Sequence, residues 1–230
     1  DVFYKNTNDL CSLKELLGYY TTNVNIIMKP TVVDYDGLRI ACIPWINNEN
    51  YDATMKYLSK VDADWVGSHL ELEGFEMMRG VTNTHGMSKN TFKRFECVMS
   101  GHFHTKSAQD NIHYLGSQFE FTWADASDPK YFHIIDTEDR SLTPVRVNQT
   151  LFKKVLYNDD KIDYNNYNCN ELIDKFVKVV VVSKTDHFMF DRFIDRIQSI
   201  DHHDLKIAET FDEYLGENVV DEGISVEDTT

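Results

Sequence analysis

Short apolar runs alternate with polar stretches along the chain, and their spacing predicts a mixed α/β protein. The segment 31–45 predicts a β-hairpin, because Asp36-Gly37 stands between two apolar runs and favours a tight turn. Helices are predicted at 51–60, 88–95 and 187–200, and a first helix is predicted from its cap Asn8 to Gly18. Further strands are predicted at 24–28, 64–68, 96–100, 111–117, 130–136, 142–148, 175–183 and 204–209.

The pattern changes near residue 150 and predicts a division into three parts. Residues 1–150 form the largest part and include a loop rich in Gly, Asn and Thr at 74–86. Residues 151–209 predict a small lobe in which a strand, a helix and a strand follow one another. Residues 210–230 predict a flexible tail, because the stretch 209–230 holds eight acidic residues and no lysine or arginine.

Composition and charge limit the classes of function. A hydrophobic content of 42% is typical of a globular core, and since no apolar run reaches the length of a membrane span, we expect no membrane contact. The net charge of −15 disfavours a protein that holds nucleic acid by charge alone, although the acidic tail supplies more than half of that excess. Four cysteines without a C-x-x-C spacing predict reduced thiols and a cytoplasmic location. Because the chain begins with Asp1 rather than Met, we expect a piece of a longer protein.

Two histidines follow one of the predicted strands directly. In the stretch FECVMSGHFHTKS, an apolar run and Gly101 precede His102 and His104. Side chains at i and i+2 of extended backbone point to the same face, so the two imidazoles could bind one metal ion. The alternative is a pair of solvated loop histidines.

A third histidine occupies the same kind of position. His69 follows the predicted strand of DADWVGSHLELEG. Because open α/β sheets gather ligands at the ends of their strands, His69, His102 and His104 could meet there. Loop capping is the alternative role. A metal site built from the three would be incomplete as written, since no carboxylate or cysteine motif lies near them in the sequence.

The order GSH, SGHFH and YLGS resembles the second half of the calcineurin-like metallophosphoesterase superfamily. The signature of that superfamily reads Asp-x-His, Gly-Asp, Gly-Asn-His-Asp/Glu, a lone His and then Gly-His-x-His. The stretches DVFYKNTN, IPW, LELEGF and SGHFHT further resemble the nuclease subunit of SbcCD-type repair complexes, and among these the recombination endonucleases of large tailed phages. The resemblance covers residues 1–150 well and the small lobe loosely.

The resemblance implies a fold and a metal-dependent chemistry. The implied fold is an α+β, α-β sandwich: the C-terminal part of a four-layer metallophosphoesterase fold, with two mixed sheets flanked by helices, followed by a small α/β cap lobe that faces DNA. The implied cofactors are two divalent metal ions, Mn²⁺ or alternatively Mg²⁺, of which His69 and His102 bind one and His104 the other. Two such ions acidify a water molecule and neutralise phosphate oxygens during in-line attack.

The chain departs from the family at its beginning. The first Asp-x-His, the Gly-Asp and the Gly-Asn-His, which precede the lone His in that signature, are absent before His69, so two Asp ligands, one His and one Asn would have to come from a segment before Asp1. By resemblance, Asp1 closes the Asn-His-Asp motif and has a catalytic role, because it orients the histidine that assists the leaving group. The alternative is a frayed terminal residue. We therefore expect this segment alone to be a poor nuclease.

Several other residues are weaker candidates for the site. His113 and His133 lie within predicted strands and have a structural interpretation, and His202 and His203 lie in a polar turn. Basic side chains of the predicted helix 88–95 could contact phosphates, or could form an ordinary solvated face. The candidates for substrate binding are His85, Lys89, Lys93 and Arg94.

Three functions remain open at this level. The resemblance implies a metal-dependent DNA nuclease subunit that trims or nicks DNA ends in recombination and repair, in the cytoplasm of a host cell. Its implied partners are DNA and an SMC-like coiled-coil ATPase, and a homodimer is compatible with the family. The alternatives are a metallophosphoesterase that acts on a phosphoprotein or a small phosphodiester, and a non-catalytic remnant that binds a partner.

Overall fold

The computed structural model describes residues 11–78 and 80–209, which form two compact units. Residues 11–118 and 129–147 make up the first unit, and residues 119–128 and 148–209 make up the second. The predicted cap Asn8, the predicted catalytic Asp1 and the predicted tail 210–230 lie outside the described residues. None of the described helices is long and apolar enough to cross a membrane.

The first unit contains two α-helices and ten strands. The helices are α1 (Ser12–Leu17) and α2 (Tyr51–Leu58). The strands are β1 (Thr31–Tyr35), β2 (Leu38–Ile43), β3 (Trp65–Ser68), β4 (Glu76–Met78), β5 (Val81–Thr82), β6 (Cys97–Ser100), β7 (Ser107–Gln109), β8 (Ile112–Tyr114), β9 (Lys130–Asp136) and β10 (Ser141–Val147).

Six of these strands form one sheet in the order β1-β2-β3-β6-β8-β7. Its four central strands, β2, β3, β6 and β8, are parallel neighbours. In their register Ile43 lies beside Ser68, Ser68 beside Ser100, and Ser100 beside Tyr114. The chain therefore leaves all four strands at the same edge of the sheet.

The central strands are apolar because both faces of the sheet are covered. All four residues of β6 are buried, as is typical of parallel strands that pack on both sides. One face packs on a cluster that includes Leu58 of α2, and the other packs on a cluster that includes Leu142 of β10. Each fully buried large aliphatic or aromatic side chain contributes about 1.5–3 kcal/mol of transfer free energy. This burial stabilises the sheet, and the sheet in turn positions the residues that follow its parallel strands.

The second unit is a three-stranded parallel sheet with one helix. Its elements are β11 (Phe152–Asn158), β12 (Phe176–Ser183), α3 (His187–Gln198) and β13 (Asp204–Ala208), and β12 is the central strand. The helix begins where the Asp186 side chain accepts a hydrogen bond from the backbone N–H of Met189. It buries Phe190, Phe193, Ile194 and Ile197 at helical spacing, which accounts for its amphipathic sequence.

Much of the pattern-based prediction is confirmed. The hairpin β1–β2 turns at Asp36 and Gly37, whose φ angles of 52° and 91° are those of a left-handed two-residue turn. The mixed α/β character is confirmed as well. The four-layer metallophosphoesterase arrangement stays a prediction, and so does the assignment of a nuclease part and a cap lobe on either side of residue 150.

Other predictions were wrong at the level of single elements. Residues 24–28 form no strand among the described residues, although the run VNIIM is apolar. The predicted basic helix 88–95 is a single 3-10 turn, Lys89–Phe92, because only Phe92 of that turn is buried and too little apolar surface is available to hold a longer helix. The predicted loop 74–86 contains the small hairpin β4–β5, and the three-residue strand β7 and the seven-residue strand β11 were missed.

Candidate metal centre

Two of the predicted ligands meet at the edge where the parallel strands end. His69 follows β3 and His102 follows β6 after Gly101, so the register of the two strands sets them side by side. Their ring centroids are 5.2 Å apart, and the ring planes stand at 80° to each other. The convergence expected from the sequence is therefore present for these two histidines.

Trp45 packs against both imidazoles. It follows β2, the strand next to β3, and its ring centroid lies 5.6 Å from that of His69 and 5.2 Å from that of His102. The loop that carries it is fixed by Asn50, whose side-chain Nδ2 donates to the Trp45 carbonyl over 2.9 Å. Trp45 thus limits the rotation of both histidine rings.

The backbone at the end of β6 is built for this close approach. A β-carbon on Gly101 would lie 2.7 Å from Nδ1 of His69, so only glycine leaves room for that ring. The next residue, His102, has a φ of 79°, in the left-handed region that costs a residue with a β-carbon about 1–2 kcal/mol. An imidazole held at a strained backbone position is a feature that recurs at functional sites.

His104 is exposed, and its backbone is held firmly. Its carbonyl oxygen accepts hydrogen bonds from the Ser117 N–H over 3.0 Å and from Nζ of Lys130 over 3.1 Å. Gly116 has a φ of 74°, and a β-carbon there would lie 2.9 Å from the same carbonyl oxygen. The YLGS turn therefore fixes the path of the chain at His104.

Burial keeps the two inner histidines neutral. Burial, with a smaller repulsion from the nearby His104, lowers the pKa of His69 to about 4. Burial likewise lowers the pKa of His102 to about 4, with added repulsion from His69 and His104. At neutral pH both rings are uncharged, which is the form of imidazole that binds a metal ion.

The segment that carries His69 is anchored by two buried side chains. The hydroxyl of Ser100 accepts a hydrogen bond from the backbone N–H of Leu70 over 2.8 Å. The fully buried hydroxyl of Tyr114 accepts one from the N–H of Leu72 over 3.0 Å and donates one to the Leu70 carbonyl over 2.9 Å. Strands β6 and β8 thus hold the loop after β3 through side chains as well as through the sheet.

The four candidates for substrate binding lie on the surface, and two of them make hydrogen bonds to other parts of the first unit. Nζ of Lys89 donates to the Asp110 carboxylate over 3.1 Å. The Arg94 guanidinium donates to the carbonyls of Leu58 and Val61, where α2 ends. Lys93 and His85 are exposed. A role in binding substrate stays a prediction for all four.

The donors that a metal ion would find here form part of a site. Two neutral imidazoles in contact suit a first-row divalent ion, and a third histidine is near enough to affect their protonation. Within residues 11–78 and 80–209, however, no three or more His, Cys, Asp or Glu side chains are grouped closely enough to hold an ion. Metal binding by His69, His102 and His104 therefore stays a prediction, and the residues present supply only some of the ligands.

Comparison with known proteins adds to this geometry. Over 168 residues the chain is 35% identical to the Exonuclease subunit 1 of Enterobacteria phage T4. The chain is similar to a phage exonuclease subunit. The matched region covers 73% of this chain and 49% of that protein, so the chain spans about half the length of the relative it matches. No family model matches the chain.

Sequence reasoning missed two residues that shape this site. Trp45 follows β2, the third strand that ends at this edge, and the signal was its position shortly after an apolar run, as for His69 and His102. Lys130 is only 2% exposed, and its ammonium reaches the His104 carbonyl from β9. Nothing in the local pattern KYFHIID distinguishes that lysine from a solvated strand end.

Proposed function

We propose that this chain is part of a metal-dependent DNA nuclease subunit that hydrolyses phosphodiester bonds at DNA ends. The observation that carries the proposal is the pair of neutral, half-buried imidazoles at the ends of adjacent parallel strands, in a chain similar to a phage exonuclease subunit. A histidine that only ends a strand does not require a strained backbone, yet His102 has a left-handed φ angle. Such strain recurs at functional sites, which supports the proposal.

His69, His102 and His104 are the residues that would hold divalent metal, with Mn²⁺ favoured and Mg²⁺ as the alternative. When bound, a pair of such ions activates a water molecule and offsets the charge that builds on the phosphate. The protein contributes the orientation of the rings: Trp45 packs on two of them, and the Ser117 N–H and the Lys130 ammonium hold the backbone of the third.

The proposal includes an incomplete centre. A two-ion site needs a carboxylate that bridges the ions, and the described residues supply no such cluster. The missing ligands would come from outside the described residues, since the matched region covers only 49% of the similar phage protein. By itself, the chain then holds at most one ion, and weakly.

The partners belong to the same proposal. DNA is the substrate, and an SMC-like coiled-coil ATPase is the second subunit; the similarity to a protein named as a subunit supports an assembly of several chains. The proposal also includes assembly as a homodimer and a location in the cytoplasm of the host cell.

Activity and Mn²⁺ binding of the isolated chain test the proposal together. We expect no more than trace cleavage of labelled duplex DNA, and Mn²⁺ binding by calorimetry that is lost in His69→Ala and His102→Ala. His187→Ala is the matched control, because His187 is exposed at the start of α3 in the other unit. Equal Mn²⁺ binding by all variants would refute the metal role. Strong Mn²⁺-dependent cleavage that His102→Ala abolishes would instead refute the incomplete centre.

A further inference from the structure

A second group of basic side chains surrounds a cavity elsewhere in the first unit. The cavity has a volume of about 230 Å³ and lies between the strand pair β7–β8 and the hairpin β9–β10. Lys106 and His113 line it from the first side, and His133 lines it from the second, beside Leu142 and Pro144. Neither the sequence pattern nor the proposed metal centre gives these histidines a task.

The strand registers show why these side chains face one another. Ala108 pairs with His113 across β7 and β8, so both point to the same face, and Lys106 shares that face because it lies two residues before Ala108. On the hairpin, His133 pairs with Pro144 and also lines the cavity. Three basic groups thus point into one space from two directions.

The electrostatics of the cavity favour an anion over a cation. Burial lowers the pKa of His113, and the Lys106 ammonium lowers it further. The pKa of His133 is lowered by burial first, then by Lys106 and by His113. Both rings therefore experience a positive field, in a chain whose net charge is −15. A metal cation would meet that same field, whereas an anion would be attracted by it.

The available donors match a tetrahedral oxyanion. The ammonium of Lys106 has three N–H donors. Its Nζ lies 5.3 Å from the centroid of the Tyr131 ring. Each neutral imidazole has one N–H donor. A volume of about 230 Å³ holds a phosphate group with a few water molecules but is too small for a folded peptide segment.

We propose that this cavity binds a phosphate group through Lys106, His113 and His133. The group could belong to free phosphate or a mononucleotide, or to the backbone of a DNA strand, and the donors would be the same. This site shares no residue with the proposed metal centre of His69, His102 and His104, and it does not depend on the nuclease proposal.

Nuclear magnetic resonance of the histidine rings tests the proposal on the chain as it is. Inorganic phosphate is titrated against long-range ¹H–¹⁵N spectra, with sodium chloride adjusted to keep the ionic strength constant. We expect the ring signals of His113 and His133 to shift together and to saturate, while the exposed His187 does not shift. Lys106→Gln should weaken phosphate binding about tenfold or more, the loss of one charge-assisted contact. Lys161→Gln, at an exposed lysine, is the matched control.

The source of the phosphate is settled by a second titration with a short single-stranded oligothymidylate. Shifts of the same two rings that inorganic phosphate reverses would support the proposal with DNA as the ligand. Shifts with inorganic phosphate alone would support it with a free phosphate or mononucleotide. Shifts that chloride reproduces, that fail to saturate, or that survive Lys106→Gln unchanged would overturn it. Saturable binding of Zn²⁺ by both rings without any effect of phosphate would also overturn it.

Discussion

At the scale of single residues, the candidate metal centre depends on a missing side chain as much as on the histidines themselves. Gly101 has no side chain, and this absence lets the His69 ring approach the end of β6. The sequence shows Gly101 only as the residue before His102; that its missing side chain leaves space for the His69 ring follows from the register of β3 and β6. Trp45 was missed for the same reason, since a neighbour across the sheet is not a neighbour in sequence.

Gly101→Ala should damage the histidine pair with little effect on the fold. The added methyl group would lie 2.7 Å from Nδ1 of His69, so that ring must turn away from His102. We expect affinity for Mn²⁺ to fall about 10–100-fold, as for other changes that misorient a ligand. Calorimetry measures this loss.

Gly67→Ala is the matched control for that substitution. Gly67 lies in β3 near the same edge, and a β-carbon there would make only ordinary contacts, at 3.6 Å from Ile40 and 4.0 Å from Met99. The Mn²⁺ affinity of this variant should stay within about twofold of that of the unsubstituted chain. A misoriented ligand, in contrast, lowers the affinity about tenfold or more. Equal losses in the two alanine variants would mean that the His69 ring is not the group affected.

At the scale of elements, local patterns predicted what is determined locally. The turn at Asp36-Gly37 and the amphipathic helix α3 depend on a few neighbouring residues, and both are confirmed. The run 24–28 has the composition of a strand but no described partner strand, since β-structure requires a neighbour that the local sequence does not reveal. The side-chain anchors of the loop after β3 could not be predicted for the same reason, because Tyr114 lies 42 residues from Leu72.

Tyr114→Phe should loosen the loop that carries His69. The substitution keeps the buried ring and removes the hydroxyl, which leaves the Leu72 N–H and the Leu70 carbonyl without that partner. We expect the free energy of unfolding to fall by about 1–3 kcal/mol, the usual cost of an unsatisfied buried polar group. Urea denaturation measures it. Tyr35→Phe, at a tyrosine that is 51% exposed, should change stability by less than about 0.5 kcal/mol; a similar loss there would remove the special role of the Tyr114 hydroxyl.

At the scale of the whole molecule, the first unit brings together groups that have opposite requirements. The neutral imidazoles of His69 and His102 are suited to receive a cation, whereas the cavity lined by Lys106, His113 and His133 is suited to receive an anion. The sequence predicted the first group from its position after two strands. It could not predict the second, because a histidine within a strand is informative only when the facing layer is known.

The metal-free protein should lose stability in mild acid. His69 and His102 have a pKa of about 4 in the folded protein, against about 6.5 in an unfolded chain. Between these values the unfolded chain binds more protons than the folded one, so the free energy of unfolding falls as the pH is lowered from about 6.5 to about 4. Above pH 6.5 this contribution is constant. Urea denaturation at several pH values measures it, and the double variant His69→Gln, His102→Gln should show a flatter dependence; an identical dependence would contradict the pKa values.

The most direct test of the central claim is the order in which Mn²⁺ broadens the histidine ring signals of the isolated chain. Paramagnetic broadening detects a weakly bound ion and identifies the rings nearest to it. If the candidate metal centre binds Mn²⁺, its three histidines should broaden first, at substoichiometric Mn²⁺: the half-buried His69 and His102, and with them His104. The exposed His85 and His187 should broaden only later. Broadening that instead follows solvent exposure, with His85 and His187 first, would contradict the assignment of this centre as a metal site.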